Sequence, residues 1–500
     1  MTGKLSGLKP EAVFRHFEAL TQIPRESGNE KAVSDYLVEF AKKNKLEVIQ
    51  EDCLNVIIKK PGTEGYETAP HVILQGHMDM VCVKREDLDF DFNTDPIPVV
   101  VEGDFVRTEG TTLGADNGIA VAMAMAILES KDMAHPPLTA LITVAEETGM
   151  DGVLGLEPDH ISGDILINID SEEEGTLLAS CAGGVNNIVK LPIERKESLA
   201  GAYYALKIKG LKGGHSGMEI NQNRASAIKL LGRLLEKLCE HSDLEVIEVS
   251  GGDKMNAIAK YAEAVVGLKG QSAEGINLSE KDLKALVKNL DEAFKNEYES
   301  SDPGIELVVE ALSKASLESN ESKYAGMALS QTTVDQLVSI LRLMPYGVQT
   351  MSANIEGLVE SSNNIGVLRM REDHIEFSSA VRSSVKSLKE EINGRIQHIC
   401  NLTGASMELV SDYPEWPYKV ESPIREIMKK KWKTLYDSDI KVDAIHAGLE
   451  CGLLKEKVGD IDMVSLGPNL YDVHTPMEHM SIGSVERIYA FLVEVLKDIK

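Results

Sequence analysis

His77 and Asp79 stand two apart at the end of the apolar run "VILQGHMDMVCV", residues 72 to 83. In a β-strand, positions i and i+2 face the same side, so both side chains emerge together where Val72, Ile73 and Leu74 predict a buried strand. An imidazole beside a carboxylate is either a buried salt bridge or satisfied core pair, or part of a larger set of groups that the rest of the chain must supply. Four further stretches offer matching chemistry. Asp116 in "TTLGADNGIA" opens a helix, where it also suits an N-cap. Glu146 and Glu147 in "TVAEETGMDG" follow an apolar strand, and both can reach one cavity only if that strand has already ended. Asp170 closes "ILINID", and His474 lies in the loop "YDVHTPMEHM". Singly, each has an ordinary reading as a cap, a solvated acid or an exposed loop histidine. Together they are a donor set for divalent cations: zinc accepts His nitrogen and carboxylate oxygen, and two ions roughly 3.5 to 4 Å apart call for a bridging carboxylate.

The elements that must hold these residues follow from periodicity. "EKAVSDYLVEFAKKN" predicts an amphipathic helix, "ADNGIAVAMAMAILES" a helix packed on a sheet, and "HVILQGHMDMV", "LTALITVAEE" and "DILINID" predict strands ending in acidic or histidine residues. Strands alternating with helices imply a layered α/β domain, whose sites lie at the carboxyl ends of the strands. From about residue 187 the texture changes. "YYALKIKGLKG" alternates like a strand, "NRASAIKLLGRLLEKLCE" and "INLSEKDLKALVKNLDEAFKNEY" are helical, and residues 298–330 are polar and loop-rich at both ends. The last hundred residues return to the first texture, with helices at "SPIREIMKKKWKTLY" and "SVERIYAFLVEVLKDIK" and an apolar run at "IDMVSLG". The expected organisation is a first domain over 1–186 and 399–500, interrupted by a second domain over 187–398.

Composition narrows the function classes. The 500 residues suggest roughly two to four domains. With 43% hydrophobic and 26% charged residues the chain is of ordinary soluble globular type. A net charge of −28 argues against nucleic acid or an anionic membrane as partner. No apolar run reaches the length of a membrane span, and no signal-peptide core precedes the first helix. Six scattered cysteines without a CxxC pair imply a reduced, cytoplasmic protein with no cysteine metal site. Motifs of the GxSxG, HExxH and Walker A types are absent.

The ordered series "GHMD", "GADNG", "AEETG", "NIDSEE" and "HTPMEHM" resembles the M20 metallopeptidases. The opening "LTQIPRESGNEKAVSDYL" and the late "HAGLECGLL" look like the branch that cleaves aminoacyl-histidine dipeptides. The resemblance spans essentially the whole chain. It implies a zinc-peptidase-like α/β/α catalytic domain with an inserted α+β lid, which is longer here than in simpler members, where it forms dimers.

Carried over residue by residue, the resemblance makes His77 a ligand of one metal, His474 of the other and Asp116 the bridge. Glu147 and Asp170 complete the two sets, Asp79 orients His77, and Glu146 is left as general base. In the inserted domain, His215 of "GLKGGHSGMEI" resembles the family's oxyanion donor. Asn256 of "GGDKMNAIA" and Arg382 of "FSSAVRSSV" match positions that bind the substrate carboxylate. Arg369 and Arg371 are rivals for that task, and "NAIA" departs from the more common "NxIP" pattern. The segment "HAGLECG" replaces a glycine-rich stretch of other branches; His446 and Glu450 are either a helical pair four apart or pocket groups, with Glu450 expected to receive the substrate amino group. The implied function is hydrolysis of unblocked dipeptides, preferentially Xaa-His such as β-alanyl-histidine, with two divalent ions, zinc first and Co or Mn as alternatives. The competing readings are a tripeptide aminopeptidase, an N-acyl amino acid deacylase, or an inactive binding protein that would have lost Glu146 or a ligand. The oligomeric state stays open: the long lid either substitutes for a partner or pairs into a homodimer.

Overall fold

In the computed structural model of the protein, Leu138–Thr143, Val72–His77, Ile165–Asn168 and Asp462–Ser465 lie side by side and parallel. They form the centre of an eight-stranded sheet. Across it the order is Glu47–Gln50, Val56–Lys60, Leu138–Thr143, Val72–His77, Ile165–Asn168, Asp462–Ser465, Thr176–Cys181 and Lys441–Ile445. The structure describes residues 3–241, 244–269, 278–313 and 326–500. Every residue of the strands Val72–His77, Leu138–Thr143 and Ile165–Asn168 is buried, as a parallel sheet covered on both faces requires. One cover is the helix Ala115–Glu129, which is buried nearly all round and therefore has no polar stripe. The helix Glu11–Leu20 packs on it through Phe14 and Phe17, and Pro423–Tyr436 packs on Ile482–Asp498. Because the four central strands run the same way, their carboxyl ends open on one edge, and three of the expected ligands, His77, Glu147 and Asp170, lie at or just past those ends.

These elements belong to the first of two compact units, comprising Met1–Cys181, Trp416–Ala444 and Leu449–Lys500. The second comprises Ala182–Glu415 and Ile445–Gly448. Its main sheet has nine strands, and every pairing resolved residue by residue is antiparallel. Its apolar face carries the helices Ala227–His241, Glu280–Glu297, Gln331–Leu343 and Lys386–Thr403, whose Leu231, Val287, Leu337 and Ile392 enter one core. The helix Glu280–Glu297 begins at a capping box between Ser279 and Asp282; residues 276 and 277, read as part of it, lie outside the described residues. Of the loop-rich stretch 298–330, Glu306–Leu312 is a strand paired with Ala200–Lys209, and residues 314–325 lie outside the described residues.

The unit boundary falls later than the expected 398. Residue 398 is inside the helix Lys386–Thr403, and the strand that follows, Ser406–Tyr413, pairs with Gly183–Pro192 of the second unit's sheet. Long-range strand pairing thus keeps the chain in the second unit until Glu415. Among the described residues, no helix is long and apolar enough to cross a membrane.

Candidate metal centre

The strand Val72–His77 delivers His77 at its last residue, buried, with its ring held among three carboxylates. Nδ1 is 3.2 Å from Asp79 Oδ1, and Nε2 is 3.2 Å from Asp116 Oδ1 and 3.5 Å from Asp170 Oδ1. Asp79 has no exposed surface. It accepts hydrogen bonds from Ser27 Oγ at 2.8 Å and from the backbone N–H groups of Glu146 and Glu147 at 3.2 and 3.3 Å. One carboxylate therefore ties the His77 ring to the turn that carries both glutamates.

That turn exists because the strand stops at Thr143. Ala145 takes a left-handed conformation (φ 52°) and a short helix, Glu146–Gly149, follows, so the two neighbouring glutamates no longer point to opposite sides of a pleat. Asp116 is not an N-cap. Gly114 holds that place with φ 69°, and Asp116 departs from helical geometry (φ −78°, ψ 108°) in the first turn of its helix. Its second oxygen, Oδ2, lies 3.1 Å from His474 Nε2, which also stands 3.0 Å from Glu147 Oε2.

Two groupings of ligand atoms result, His77, Asp116 and Asp170, and Asp116, Glu147 and His474. Each gathers one imidazole and two carboxylates within 4.8 Å, and Asp116 is common to both. A donor set of this kind fits a pair of divalent cations. His77 also groups with Glu146 and Glu147, but it is Glu147 whose carboxylate meets His474.

The crowding of acids and imidazoles shifts the titration of each. His474 is pushed up to about 11 by its hydrogen bonds with Asp116 and Glu147. Burial would raise Asp116, but the hydrogen bonds and charges of His474 and His77 outweigh it and bring it well below the usual carboxylate range. Asp170 is pushed to about 6, by burial first and then by Asp116 and Glu147 against the pull of His77. Glu146 rises well above its ordinary value, through burial first and then the charges of Asp170, Glu450 and Glu147 against the pull of His77.

Glu450 does not meet the expectation of a pocket-lining group. It is the first residue of the helix Glu450–Val458, it is fully enclosed, and its Oε2 accepts from Gln75 Nε2 at 2.5 Å and Thr143 Oγ1 at 2.8 Å. Nor do His446 and Glu450 share a helix. The helix starts only at Glu450, and His446 belongs to the second unit, where its Nε2 lies 2.7 Å from Ser362 Oγ.

Within the second unit, Asn256 and Arg382 line one cavity of about 650 Å³ together with Tyr413, Lys254 and Glu376. Arg382 Nη1 donates to the Tyr413 hydroxyl at 3.0 Å. The rival Arg369 is pinned by donating to the backbone oxygens of Gly251 at 2.8 Å and Gly252 at 2.5 Å, and Arg371 is 3.5 Å from Glu376. His215 Nδ1 accepts from the backbone N–H groups of Gly217 at 3.3 Å and Met218 at 3.2 Å, which assigns its proton to Nε2. Burial and the Arg382 charge lower its pKa and keep the ring neutral.

The chain is 37% identical over 497 residues, 99% of either length, to the cytosol non-specific dipeptidase of Escherichia coli (strain K12). It belongs to the M20 peptidase family. A family model described as the peptidase dimerisation domain matches residues 206–302. The solved aminoacylhistidine dipeptidase of Vibrio alginolyticus is 36% identical, with a TM-score of 0.91 over 99% of this chain and 98% of that one. The aminopeptidase PepT of Bacillus cereus shares the fold at 13% identity and a TM-score of 0.56, covering 98% and 99%. Ser27, which supports Asp79 from a loop 52 positions away, was not among the residues the sequence pattern pointed to. Its only local signal is its place in "PRESGN", a polar break between two helices.

Proposed function

We propose that the protein is a dipeptidase that uses two divalent metal ions to hydrolyse unblocked dipeptides, with Xaa-His among its preferred substrates. The observation that carries this reading is the shared carboxylate: Asp116 meets His77 through one oxygen and His474 through the other. In this reading His77, Asp116 and Asp170 hold one ion and Asp116, Glu147 and His474 the other, with zinc the first choice for such donors and Co or Mn able to replace it. When bound, the ions supply Lewis acidity to the scissile carbonyl and to the attacking water.

The protein's own groups do the rest. Glu146 takes a proton from the water oxygen at its carboxylate and returns it to the leaving amine nitrogen. The burial and negative neighbours that raise its proton affinity suit it to that task. Asp79 holds the Nδ1 proton of His77, which leaves Nε2 as the ligating atom. In the second unit, we assign the Nε2–H of neutral His215 to the substrate's carbonyl oxygen and Arg382 with Asn256 to its terminal carboxylate. Arg suits a carboxylate through its two-pronged donors. The names of the relatives support dipeptides as the substrate class, one broadly and one with histidine at the second position. The dimerisation-domain match supports a homodimer, and the cytosolic relative supports a cytoplasmic location.

The test is hydrolysis of β-alanyl-histidine, Gly-His, Gly-Leu, a His-ended tripeptide and N-acetyl-histidine by zinc-reconstituted protein, with and without chelator. Chelator-sensitive cleavage of the free dipeptides alone, histidyl ones fastest, is expected. Cleavage of the tripeptide or the acetylated compound in their place would move the protein to a tripeptide aminopeptidase or a deacylase.

A further inference from the structure

Glu478 is 2% exposed, yet it sits four residues past the half-exposed His474 in the same loop. Its carboxylate points at the turn that leads into Asp116. Oε2 accepts from the backbone N–H groups of Leu113 at 2.7 Å and Gly114 at 3.0 Å, and Oε1 accepts from those of Ala115 at 2.8 Å and Asp116 at 3.4 Å. Four successive amides converge on one anion.

Arg25, also 2% exposed, grips the same turn through the Gly114 carbonyl. Nη2 donates to Gly114 O at 2.5 Å, while Nη1 donates to Met78 O at 3.0 Å and Asp79 O at 3.2 Å. Gly114 permits this closeness: its φ is +69°, and a Cβ there would run into the Arg25 guanidinium and the Met80 sulfur. A buried acid and a buried base thus hold opposite sides of one turn, and each also belongs to a neighbouring segment of the site. Arg25 joins it to the strand end of His77 and Asp79, and Glu478 to the loop of His474.

We infer that Glu478, with Arg25, is a positioning residue for the dinuclear site, a clasp that holds Asp116 out of the helix so that its two oxygens face the two histidines. The inference rests on the reading of Asp116 as a shared ligand. Neither side chain belongs to either grouping of ligand atoms. The carboxylate cannot be replaced by its amide, because each oxygen already takes two N–H donors and a glutamine would turn an NH₂ group toward two of them.

The test is cobalt(II) titration of metal-free full-length protein, followed by visible absorption and by competition with a chelator, for wild type and Glu478→Gln. Wild type is expected to take up two ions. The variant should bind cobalt about 10- to 100-fold more weakly, with an altered visible band, and should lose kcat while KM for a free dipeptide stays nearly unchanged. A variant with wild-type affinity and band would overturn the clasp and leave the dinuclear reading intact. A wild type that binds fewer than two ions would overturn both, and would do so before any variant is made. If the variant does not fold, amide exchange in the metal-free wild type decides. Slow exchange at Leu113–Asp116 supports the clasp, and exchange as fast as at the exposed Glu86, Asp87 and Asp89 overturns it.

Discussion

Replacing Asp79 by asparagine removes one charge and one acceptor from the residue that joins His77 to the glutamate turn. Four donors point at the Asp79 carboxylate: His77 Nδ1 and Glu146 N at Oδ1, Ser27 Oγ and Glu147 N at Oδ2. An asparagine offers one oxygen and one NH₂ group. Its better orientation keeps the oxygen on His77 and Glu146 and turns the NH₂ toward Ser27, whose hydroxyl rotates to accept. The Glu147 N–H cannot rotate and is left facing a donor. A buried N–H without its partner costs about 1 to 3 kcal/mol, and the bond to His77 loses the ionic character that makes it roughly twice as strong as a neutral one. The opposite orientation is worse, since an NH₂ facing Nδ1 drives the His77 proton to Nε2, the ligating nitrogen.

Asp79→Asn is therefore expected to lower the unfolding free energy by about 1 to 3 kcal/mol in urea titrations. It should also weaken zinc binding about 10- to 100-fold in chelator competition. Unchanged stability together with unchanged zinc affinity would refute the account of Asp79 as a four-donor hub.

Glu146→Gln should retain two equivalents of metal and lower kcat about 10²- to 10⁴-fold; near-normal turnover would remove Glu146 as the base. Arg382→Ala should raise KM for free dipeptides on the order of 10- to 100-fold, the cost of a charged hydrogen-bonding group, with a much smaller effect on dipeptide amides. Equal losses on both would count against a carboxylate role. In the metal-free protein the His474 imidazole is raised from 6.5 to about 11, so the folded chain holds a proton that the unfolded chain releases. That contribution is fully present below about pH 6.5 and is lost as pH rises toward 11, so the melting temperature of metal-free protein should fall across this window. Metal affinity should rise over the same range, because a ligating imidazole must be neutral. A flat melting profile and a flat affinity would contradict the His474 assignment.

Much of the candidate centre was legible because its residues announce themselves locally. His77, Glu146, Glu147 and Asp170 each follow an apolar run of strand length, and parallel strands deliver their carboxyl ends to one edge whatever the details of packing. Other features depended on contacts that no local pattern encodes. Asp116 as cap and Asp116 as shared carboxylate look identical in sequence, and the backbone at Gly114 and Asp116, gripped by Arg25 and by Glu478 more than 360 positions later, selects the second. Arg382 and Arg369 look alike in sequence, and side-chain contacts separate them: Arg369 donates to the backbone oxygens of Gly251 and Gly252, whereas Arg382 lies on the cavity wall and donates to Tyr413. Glu450 was expected at a pocket surface, yet the packing of its helix start against Gln75 and Thr143 encloses it. Periodicity along the chain was enough to indicate most of the elements, the donor types and the edge of the sheet where they meet. Which donor faces which came from the fold, because side-chain partners are set by contacts between segments hundreds of residues apart, and local propensity carries no information about that distance.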